Sequence, residues 1–245
     1  MFMKRLYTLI LILFSIQALL VAQSNETEAI GTIPPFKIGI TTGAAFFNET
    51  DLEKINADLV QSMPFKVETI DNFPPYRSFG GYILTPLAEK IWFGLSYQYY
   101  TTGSRLGAKD FSASYSFDQI ISSHSLGFLA DFTLLKIKKA ELFFETTAGV
   151  HFATWKIEEN LNMGEQIEKS VEQLKATIPF VYPGLKLSYP ITKNVGIAVL
   201  GGYSLDIYEK YHLESNNKAK PDKQASFSGA RLSVALEFQL NTLNK

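Results

Sequence analysis

The stretch Phe227-Ser-Gly-Ala-Arg-Leu-Ser-Val-Ala-Leu-Glu-Phe-Gln-Leu240 decides the fold of this chain. Along an extended strand, successive side chains point to opposite faces. One face therefore carries an unbroken apolar series, Leu232, Val234, Leu236, Phe238 and Leu240. The other face carries Gly229, Arg231, Ser233, Ala235, Glu237 and Gln239. An alternation of this length, close to the C-terminus of a chain, is typical of the closing strand of a membrane β-barrel.

The N-terminus has the features of an export signal. Lys4 and Arg5 precede an apolar run from Leu9 to Val21, which is shorter than the ~20 residues of a membrane-spanning helix. We therefore assign residues 1–22 to a signal peptide, 23–35 to a periplasmic N-terminal segment, 36–240 to the barrel and 241–245 to a C-terminal tail. An uncleaved N-terminal anchor is the alternative.

Composition narrows the class of protein further. The chain contains no Cys, which excludes a lipoprotein anchor, disulfides and thiolate metal sites. Its formal net charge is −1, so the charge balance gives no reason to expect nucleic acid as a partner. No later segment approaches 18 continuous apolar residues, and a chain without such a helix can cross a membrane only as a closed barrel.

The hydrophobic pattern predicts an all-β fold, an eight-stranded antiparallel up-and-down transmembrane β-barrel with long extracellular loops. Polar connections over residues 48–76, 103–121, 156–176 and 209–226 alternate with tight turns, an arrangement typical of outer-membrane barrels. The predicted strands are Phe36–Phe47, Arg77–Leu87, Ile91–Thr102, Ser122–Leu135, Ala140–Trp155, Thr177–Tyr189, Val195–Tyr208 and Phe227–Leu240.

A soluble barrel of the lipocalin type has the same alternation with inside and outside exchanged. The polar face favours the membrane barrel because it is rich in small residues, among them Gly39, Gly43, Gly94, Gly127, Gly149, Gly196, Gly202, Ser233 and Ala235. Gly weakens strands, so a solvent-exposed face would not carry so many. Small side chains suit the narrow interior of eight strands. We therefore assign the polar face to the lumen.

Several charged residues fall on this lumenal face. An ionised group in a narrow interior must be paired or hydrated, because isolating it costs several kcal/mol. The favoured interpretation is an ion-pair network that plugs the lumen, and the alternative is a charge-lined path for ions or solutes. The residues predicted to form this network are Asp131, Glu145, Lys186, Asp206, Arg231 and Glu237.

Aromatic residues cluster near the predicted strand ends. Rings with a polar tip settle between headgroups and hydrocarbon, so a girdle at the two membrane interfaces is expected, with ligand stacking as the alternative. The predicted girdle consists of Tyr97, Tyr99, Trp155 and Tyr208 at the long-loop ends and Trp92 and Tyr189 at the short-turn ends.

Two of the long loops show helical patterns. Thr50-Asp-Leu-Glu53 has capping-box spacing, and Leu52, Ile55 and Leu59 follow at helical intervals. In the third loop, Ile167, Val171 and Leu174 fall on one helical face. The pattern predicts two amphipathic helices that pack across the barrel mouth, and binding of a partner is the alternative.

Histidines provide the candidates for catalysis. His124 shares a strand face with Ser122, and His151 lies on the lumenal face near Ser123 or Ser125. A nucleophile needs a base within hydrogen-bond reach and a third group that orients the base. Neither His has a carboxylate at the same height in the predicted strands. The sequence therefore predicts no enzyme, no cofactor and no metal site.

The opening strand Phe36-Lys-Ile-Gly-Ile-Thr-Thr-Gly, the Pro-containing turns and the closing Leu-Ser-Val-Ala-Leu-Glu-Phe strand resemble the PorT-like outer-membrane β-barrel proteins of Bacteroidota. The resemblance covers nearly all of the chain after the signal. It implies an eight-stranded-type barrel in the outer membrane. Some members of the family assist a secretion machinery, while most have no assigned role. No functional residue is carried over.

These observations predict an outer-membrane protein with a structural or interaction role, its lumen plugged and its long loops facing outward. Its expected partners are outer-membrane lipids and, through the long loops, other envelope proteins. The alternative is a narrow channel or transporter for small or apolar solutes. A lipid-modifying hydrolase that uses His124 is a third hypothesis.

Overall fold

A computed structural model describes residues 35–111, 113–163, 166–207, 212–213 and 226–240. The predicted signal peptide and C-terminal tail lie outside the described residues, as does all of the predicted N-terminal segment except residue 35. Among the described residues, no helix is long and apolar enough to cross a membrane.

Eight strands close into an antiparallel ring. They are β1 (Phe36–Phe47), β3 (Tyr76–Ala88), β4 (Ile91–Lys109), β5 (Ala113–Ile137), β6 (Ala140–Met163), β7 (Gln166–Pro190), β8 (Val195–Asp206) and β10 (Gly229–Leu240). The strands follow one another around the ring in this order, and β10 returns to β1. The closing pair runs from Phe36 opposite Leu240 to Phe47 opposite Gly229. The predicted eight-stranded barrel is thereby confirmed.

The closing strand β10 has the predicted alternation. Leu232 and Leu236 are exposed on the outer face, whereas Arg231, Ala235 and Glu237 are buried in the lumen. The same alternation leaves large apolar side chains exposed on all eight ring strands. A water-soluble surface rarely exposes so much contiguous apolar area, and an outward apolar band is how a barrel meets lipid. The band includes Ile40, Phe79, Ile83, Leu95, Leu126, Phe128, Phe144, Phe152, Leu185, Leu187, Ile197, Val199, Leu232, Val234 and Leu236.

Strand length divides the ring into two walls. β8, β10, β1 and β3 have 12 or 13 residues, whereas β4 has 19, β5 and β7 have 25 and β6 has 24. A tilted strand crosses a bilayer in about 9–11 residues. The long strands therefore continue beyond the membrane as an extracellular sheet, because short turns mark the periplasmic side.

The predicted loops over residues 103–121 and 156–176 are therefore wrong for most of their length. These segments continue the ladders β4–β5 and β6–β7, down to pairs such as Lys109 with Ser114 and Met163 with Gln166. The polar composition of these two segments indicated loops. A strand outside the bilayer does not need a lipid-facing row of apolar residues, which is the pattern by which the other strands were predicted. The predicted third-loop helix is also wrong, because Ile167, Val171 and Leu174 lie on the strand β7. Leu174 lies opposite Trp155 in the β6–β7 ladder.

The first-loop helix is confirmed as α1 (Thr50–Ser62), which begins after the N-cap residue Glu49. The capping-box side-chain bond does not form. Instead, the backbone N–H groups of Leu52 and Glu53 donate to the Glu49 carbonyl oxygen. Two short strands flank the extracellular sheet: β2 (Glu68–Asn72) pairs with β4, and β9 (His212–Leu213) pairs with β7.

Candidate functional site

The periplasmic half of the lumen is filled by an ion-pair cluster, formed by Lys186, Asp131, Glu237, Tyr82 and Ser188. The fully buried Lys186 ammonium forms an ion pair with Asp131, and its Nζ lies 3.5 Å from Glu237 Oε1. Glu237 also accepts hydrogen bonds from the hydroxyls of Tyr82, at 2.6 Å, and Ser188. Strands β5, β7, β3 and β10 all contribute to the cluster, which ties opposite parts of the ring together.

Tyr82 can cross the lumen because the residue opposite it is Gly39. A Cβ atom at Gly39 would lie 2.2 Å from Tyr82 Cζ, so any larger residue would displace the ring. Below the cluster, Lys37 Nζ lies 4.2 Å from the ring centre of Trp92 and 5.1 Å from that of Phe143. Cation–π contacts of this kind stabilise a partly desolvated ammonium group. The lumen is thus packed with side chains toward its periplasmic end.

Higher in the lumen lies an arginine cluster, formed by Arg231, His151, Ser125, Ser204 and Asp206. Arg231 Nη2 donates to Ser204 Oγ at 2.5 Å and to His151 Nε2 at 3.2 Å. The Asp206 carboxylate lies 3.9 Å from His151 Nε2. Four aromatic rings surround the guanidinium, with centres 4.9 to 5.4 Å from Arg231 Cζ: Phe47, Tyr100, Phe180 and Tyr182.

The arginine cluster brings together a serine, a histidine and an aspartate. Ser125 Oγ lies 2.5 Å from His151 Nδ1, and Asp206 approaches the opposite nitrogen. This carboxylate was not expected from the sequence, because Asp206 on β8 reaches His151 on β6 over the intervening strand β7 and not from a directly neighbouring strand. The registers of the β6–β7 and β7–β8 ladders together bring the two side chains to nearly the same height.

The hydrogen bonds of His151 argue against a nucleophile. Arg231 only donates hydrogen bonds, so His151 Nε2 must be the acceptor of the neutral ring and Nδ1 carries the proton. His151 then donates to Ser125 Oγ and cannot take its proton. His124, the other predicted candidate, faces outward, and its Nδ1 lies 2.8 Å from the Tyr97 hydroxyl.

Between the two clusters lies a cavity of about 40 Å³. Its lining includes Gln98, Glu145, Tyr182 and Arg231. A polar cavity of this size has room for a few ordered water molecules, since one needs roughly 10–15 Å³. Glu145, predicted to join the ion-pair network, makes no ion pair within the described part of the chain and instead faces this cavity. Asp131 is its direct cross-strand neighbour, but the Asp131 carboxylate turns to Lys186.

The extracellular mouth is closed by α1 and the residues beneath it. We call this the mouth cluster: Leu52, Asn56, Gln119, Tyr76, Tyr100, Trp155 and Phe227. Leu52 and Asn56 are buried on the inner face of α1. Asn56 accepts a hydrogen bond from Gln119 Nε2 at 2.6 Å and donates to Asn72 and Ser104, both at 2.8 Å. The amide is therefore satisfied at both ends, which fixes the position of the helix.

Glu49 anchors the start of α1 above the mouth. Its carboxyl group accepts a hydrogen bond from the Tyr76 hydroxyl. Burial raises the pKa of Glu49 from its ordinary 4.5 to about 8, against the opposing effect of the Tyr76 hydrogen bond on the pKa. The charges of Asp206 and Glu53 raise the pKa further. The carboxyl group therefore holds a proton at neutral pH while α1 covers the mouth.

The two tryptophans correct the predicted girdle. Trp155 is buried in the mouth cluster, where Nε1 donates to Gln119 Oε1 at 3.1 Å. Trp92 also faces the lumen, beneath Lys37. Both residues occupy positions of their strands whose side chains point into the lumen. Their aromatic character alone therefore wrongly indicated the membrane interface. Tyr97 and Tyr189 are exposed on the outer face, and Tyr99 lies beside His124 on the same face. Tyr208 lies outside the described residues.

The closed ring, its outward apolar band and its polar, side-chain-filled lumen define the class of this protein: it is an outer-membrane β-barrel. No protein-family model matches the chain, and no curated protein matches it.

Solved structures of similar shape include outer-membrane barrels. The N-terminal β-barrel domain of Pseudomonas aeruginosa OprF is 12% identical, with a TM-score of 0.39 over 86% of this chain and 100% of that one. Neisserial surface protein A is 12% identical, with a TM-score of 0.40 over 86% of this chain and 100% of that one. A major outer membrane protein from Thermus thermophilus is 10% identical, with a TM-score of 0.45 over 84% of this chain and 99% of that one. The class of the protein follows from its closed ring of strands and the outward apolar band.

Proposed function

We propose that this protein has a structural or interaction role in the outer membrane, with a lumen that stays closed. The observation that carries the proposal is that the lumen is filled toward both ends, by the ion-pair cluster on the periplasmic side and by α1 with the mouth cluster on the other. The arginine cluster lies between them with its histidine already hydrogen-bonded, which supports a role without catalysis. The aromatic girdle of Tyr97, Tyr99 and Tyr189 stays a prediction.

The extracellular sheet supplies the surface for an interaction role. Arg105 and Asp118 form a two-pronged ion pair on its outer face, with N–O distances of 2.5 and 3.1 Å. They line an open groove of about 1050 Å³ near the tips of the long strands, together with Phe65 and Tyr115. Rigid strands, unlike loops, would present this groove in one shape to another envelope component.

The resemblance to PorT-like barrels agrees with this proposal and forms part of it. We propose that the chain is exported by its N-terminal signal, inserts into the outer membrane of a member of the Bacteroidota, and assists a secretion or surface complex. Its loops and long hairpins would carry the contacts.

Conductance across planar bilayers tests whether the lumen stays closed. Refolded wild-type protein is expected to give no reproducible single-channel steps. A variant in which a Gly-Ser linker replaces residues 50–62 and Tyr82 is changed to Ala lacks α1 and the largest side chain of the ion-pair cluster, and it serves as the comparison variant with a widened lumen. Regular conductance steps from the wild type would overturn the proposal.

Pull-down from native outer membranes tests the interaction role. Wild-type protein is compared with a variant whose β6–β7 hairpin lacks residues 158–171, in which 158–163 pair with 166–171 at the tip of the extracellular sheet. Proteins captured only by the wild type would support the role. Identical captured sets would contradict a role for this hairpin.

The second candidate is the narrow channel. The polar cavity between the two clusters favours it, because Gln98 and Glu145 present oxygen atoms to a space with room for a few water molecules. Conduction would require both closures to move, and the wild-type bilayer recording distinguishes the two functions.

A further inference from the structure

An apolar groove of about 550 Å³ runs along the outer face of the short-strand wall, across β8, β10, β1 and β3. It lies within the lipid-facing band. Its side-chain lining is Ile40, Thr42, Phe79, Ile197, Val199, Val234 and Leu236.

The register explains why the surface is depressed there. Phe79, Thr42, Val234 and Val199 lie side by side across the four strands, so three short β-branched side chains follow the much larger Phe79. In the next row toward the periplasm, Gly81 contributes no side chain at all. A Cβ atom at Gly81 would lie 2.6 Å from the carbonyl oxygen of Gly39, so the backbone itself keeps this position empty.

A single basic residue stands directly above the groove. Arg77 lies two residues beyond Phe79 along β3, toward the extracellular rim and on the same outward face, which is a distance of about 6.6 Å. Its side chain is exposed, and it forms no ion pair with another described residue. A charge is tolerated on the lipid face only near the interface, so Arg77 marks the level of the lipid headgroups.

We propose that the groove and Arg77 together bind a phosphorylated glycolipid of the outer leaflet. One acyl chain lies in the groove, and the lipid phosphate accepts hydrogen bonds from the Arg77 guanidinium. The planar guanidinium suits a phosphate because it offers two parallel N–H groups. The groove satisfies the apolar half of such a ligand, and Arg77 supplies the positive charge that its headgroup requires. We call this the lipid site.

Native mass spectrometry of the refolded full-length mature protein tests the lipid site. Purified lipid A is titrated into protein in detergent micelles, and the bound fraction gives an apparent Kd. Arg77→Gln is expected to weaken binding about tenfold or more, because a charge-assisted hydrogen bond is lost. Thr42→Phe, which fills the groove, is expected to weaken binding by a similar factor. With dephosphorylated lipid A, wild type and Arg77→Gln should bind equally.

Two matched controls accompany these variants. Ala130→Phe adds the same ring to the opposite wall, where Ala130 lies between Phe93 and Thr146 on the outer face. Lys54→Gln removes a basic residue from α1, away from the groove. Both should bind lipid A like the wild type. Heat-modifiable migration on gels verifies folding, and Val199→Phe replaces Thr42→Phe if the latter does not fold.

Unchanged lipid A binding by either Arg77→Gln or the folded groove-filling variant would overturn the proposal, since one lipid must occupy both parts of the site. Equal weakening by Ala130→Phe would also overturn it, because the effect would then reflect the general lipid coat.

Discussion

The ion-pair cluster and the mouth cluster both fill the lumen, but they are built from different parts of the chain. Lys186, Asp131 and Glu237 project from three ring strands, so they cannot separate unless the wall itself opens. Leu52 and Asn56 belong to α1, which is inserted between two ring strands and contributes nothing to the wall. The first closure is therefore part of the barrel, whereas the second could leave the mouth with the ring intact.

The two closures also differ in their chemistry. The periplasmic one places opposite charges together where water is scarce, so loss of one partner leaves the others uncompensated. The extracellular one combines apolar packing with neutral hydrogen bonds and one carboxyl group that is protonated at neutral pH. This difference predicts a global effect on stability for changes at the first and a local effect for changes at the second.

The largest effect is expected for Lys186→Met. This change leaves Asp131 and Glu237 buried without their ammonium partner, and breaking a buried pair in this way costs roughly 3–5 kcal/mol. The free energy of unfolding, measured by urea titration in detergent micelles, should fall by that amount. Addition of Asp131→Asn should restore part of the loss, because one uncompensated charge is removed.

Lys54→Met is the matched control for this prediction. Lys54 makes an exposed ion pair with Asp51 on α1 at 3.6 Å, and exposed pairs contribute about 0–1 kcal/mol. If Lys186→Met lowers the free energy of unfolding no more than Lys54→Met does, the ion-pair cluster does not stabilise the barrel as proposed.

A smaller and local effect is expected for Leu52→Ala. Truncation of a fully buried Leu costs about 2–5 kcal/mol. Here the loss lowers the free energy with which α1 docks on the mouth and leaves the stability of the ring unchanged. Amide hydrogen exchange over Thr50–Ser62 should therefore accelerate, while amides in β1 and β10 keep their protection. Glu53→Ala on the exposed face of α1 is the control. Equal loss of protection in the ring strands would show that the helix and the wall open together.

The third effect depends on pH. The pKa of Glu49 is about 8 when α1 is docked and near 4.5 when the carboxyl group is exposed. Between these values the docked state holds a proton that the released state loses, so docking weakens as the pH rises. The loss is at most about 1.4 kcal/mol per pH unit, with full docking strength below pH 4.5 and no further change above pH 8.

Urea-induced release of α1, followed by the fluorescence of Trp155 in a Trp92→Phe background, measures this dependence at pH 5 and pH 8. Trp155 reports on the helix through Gln119, which joins it to Asn56. Glu49→Gln cannot titrate and should show the same midpoint at both pH values. A Glu49→Gln variant that keeps the wild-type pH dependence would assign the effect to another group.

The residues that point into the lumen could largely be predicted from the sequence, whereas the contacts between them could not. Lys186, Arg231, Asp206 and Glu237 are buried as their strand parity indicated. Their partners could not be predicted, because Asp206 meets His151 and Lys186 meets Glu237 over an intervening strand, and such a contact depends on the register of three strands. Trp155 was assigned to the membrane interface from its chemistry, although its parity already placed it on the lumenal face.

The sequence by itself determined which face of each membrane-crossing strand meets lipid, because the period of two is a local property that each strand displays alone. It also indicated α1, whose apolar residues recur at helical spacing. Only the tertiary structure decided that residues 103–121 and 156–176 continue as paired strands, since outside the bilayer no apolar face marks them. It likewise decided which charges meet in the lumen and where a groove forms outside, because both depend on the register with which eight strands close into a ring.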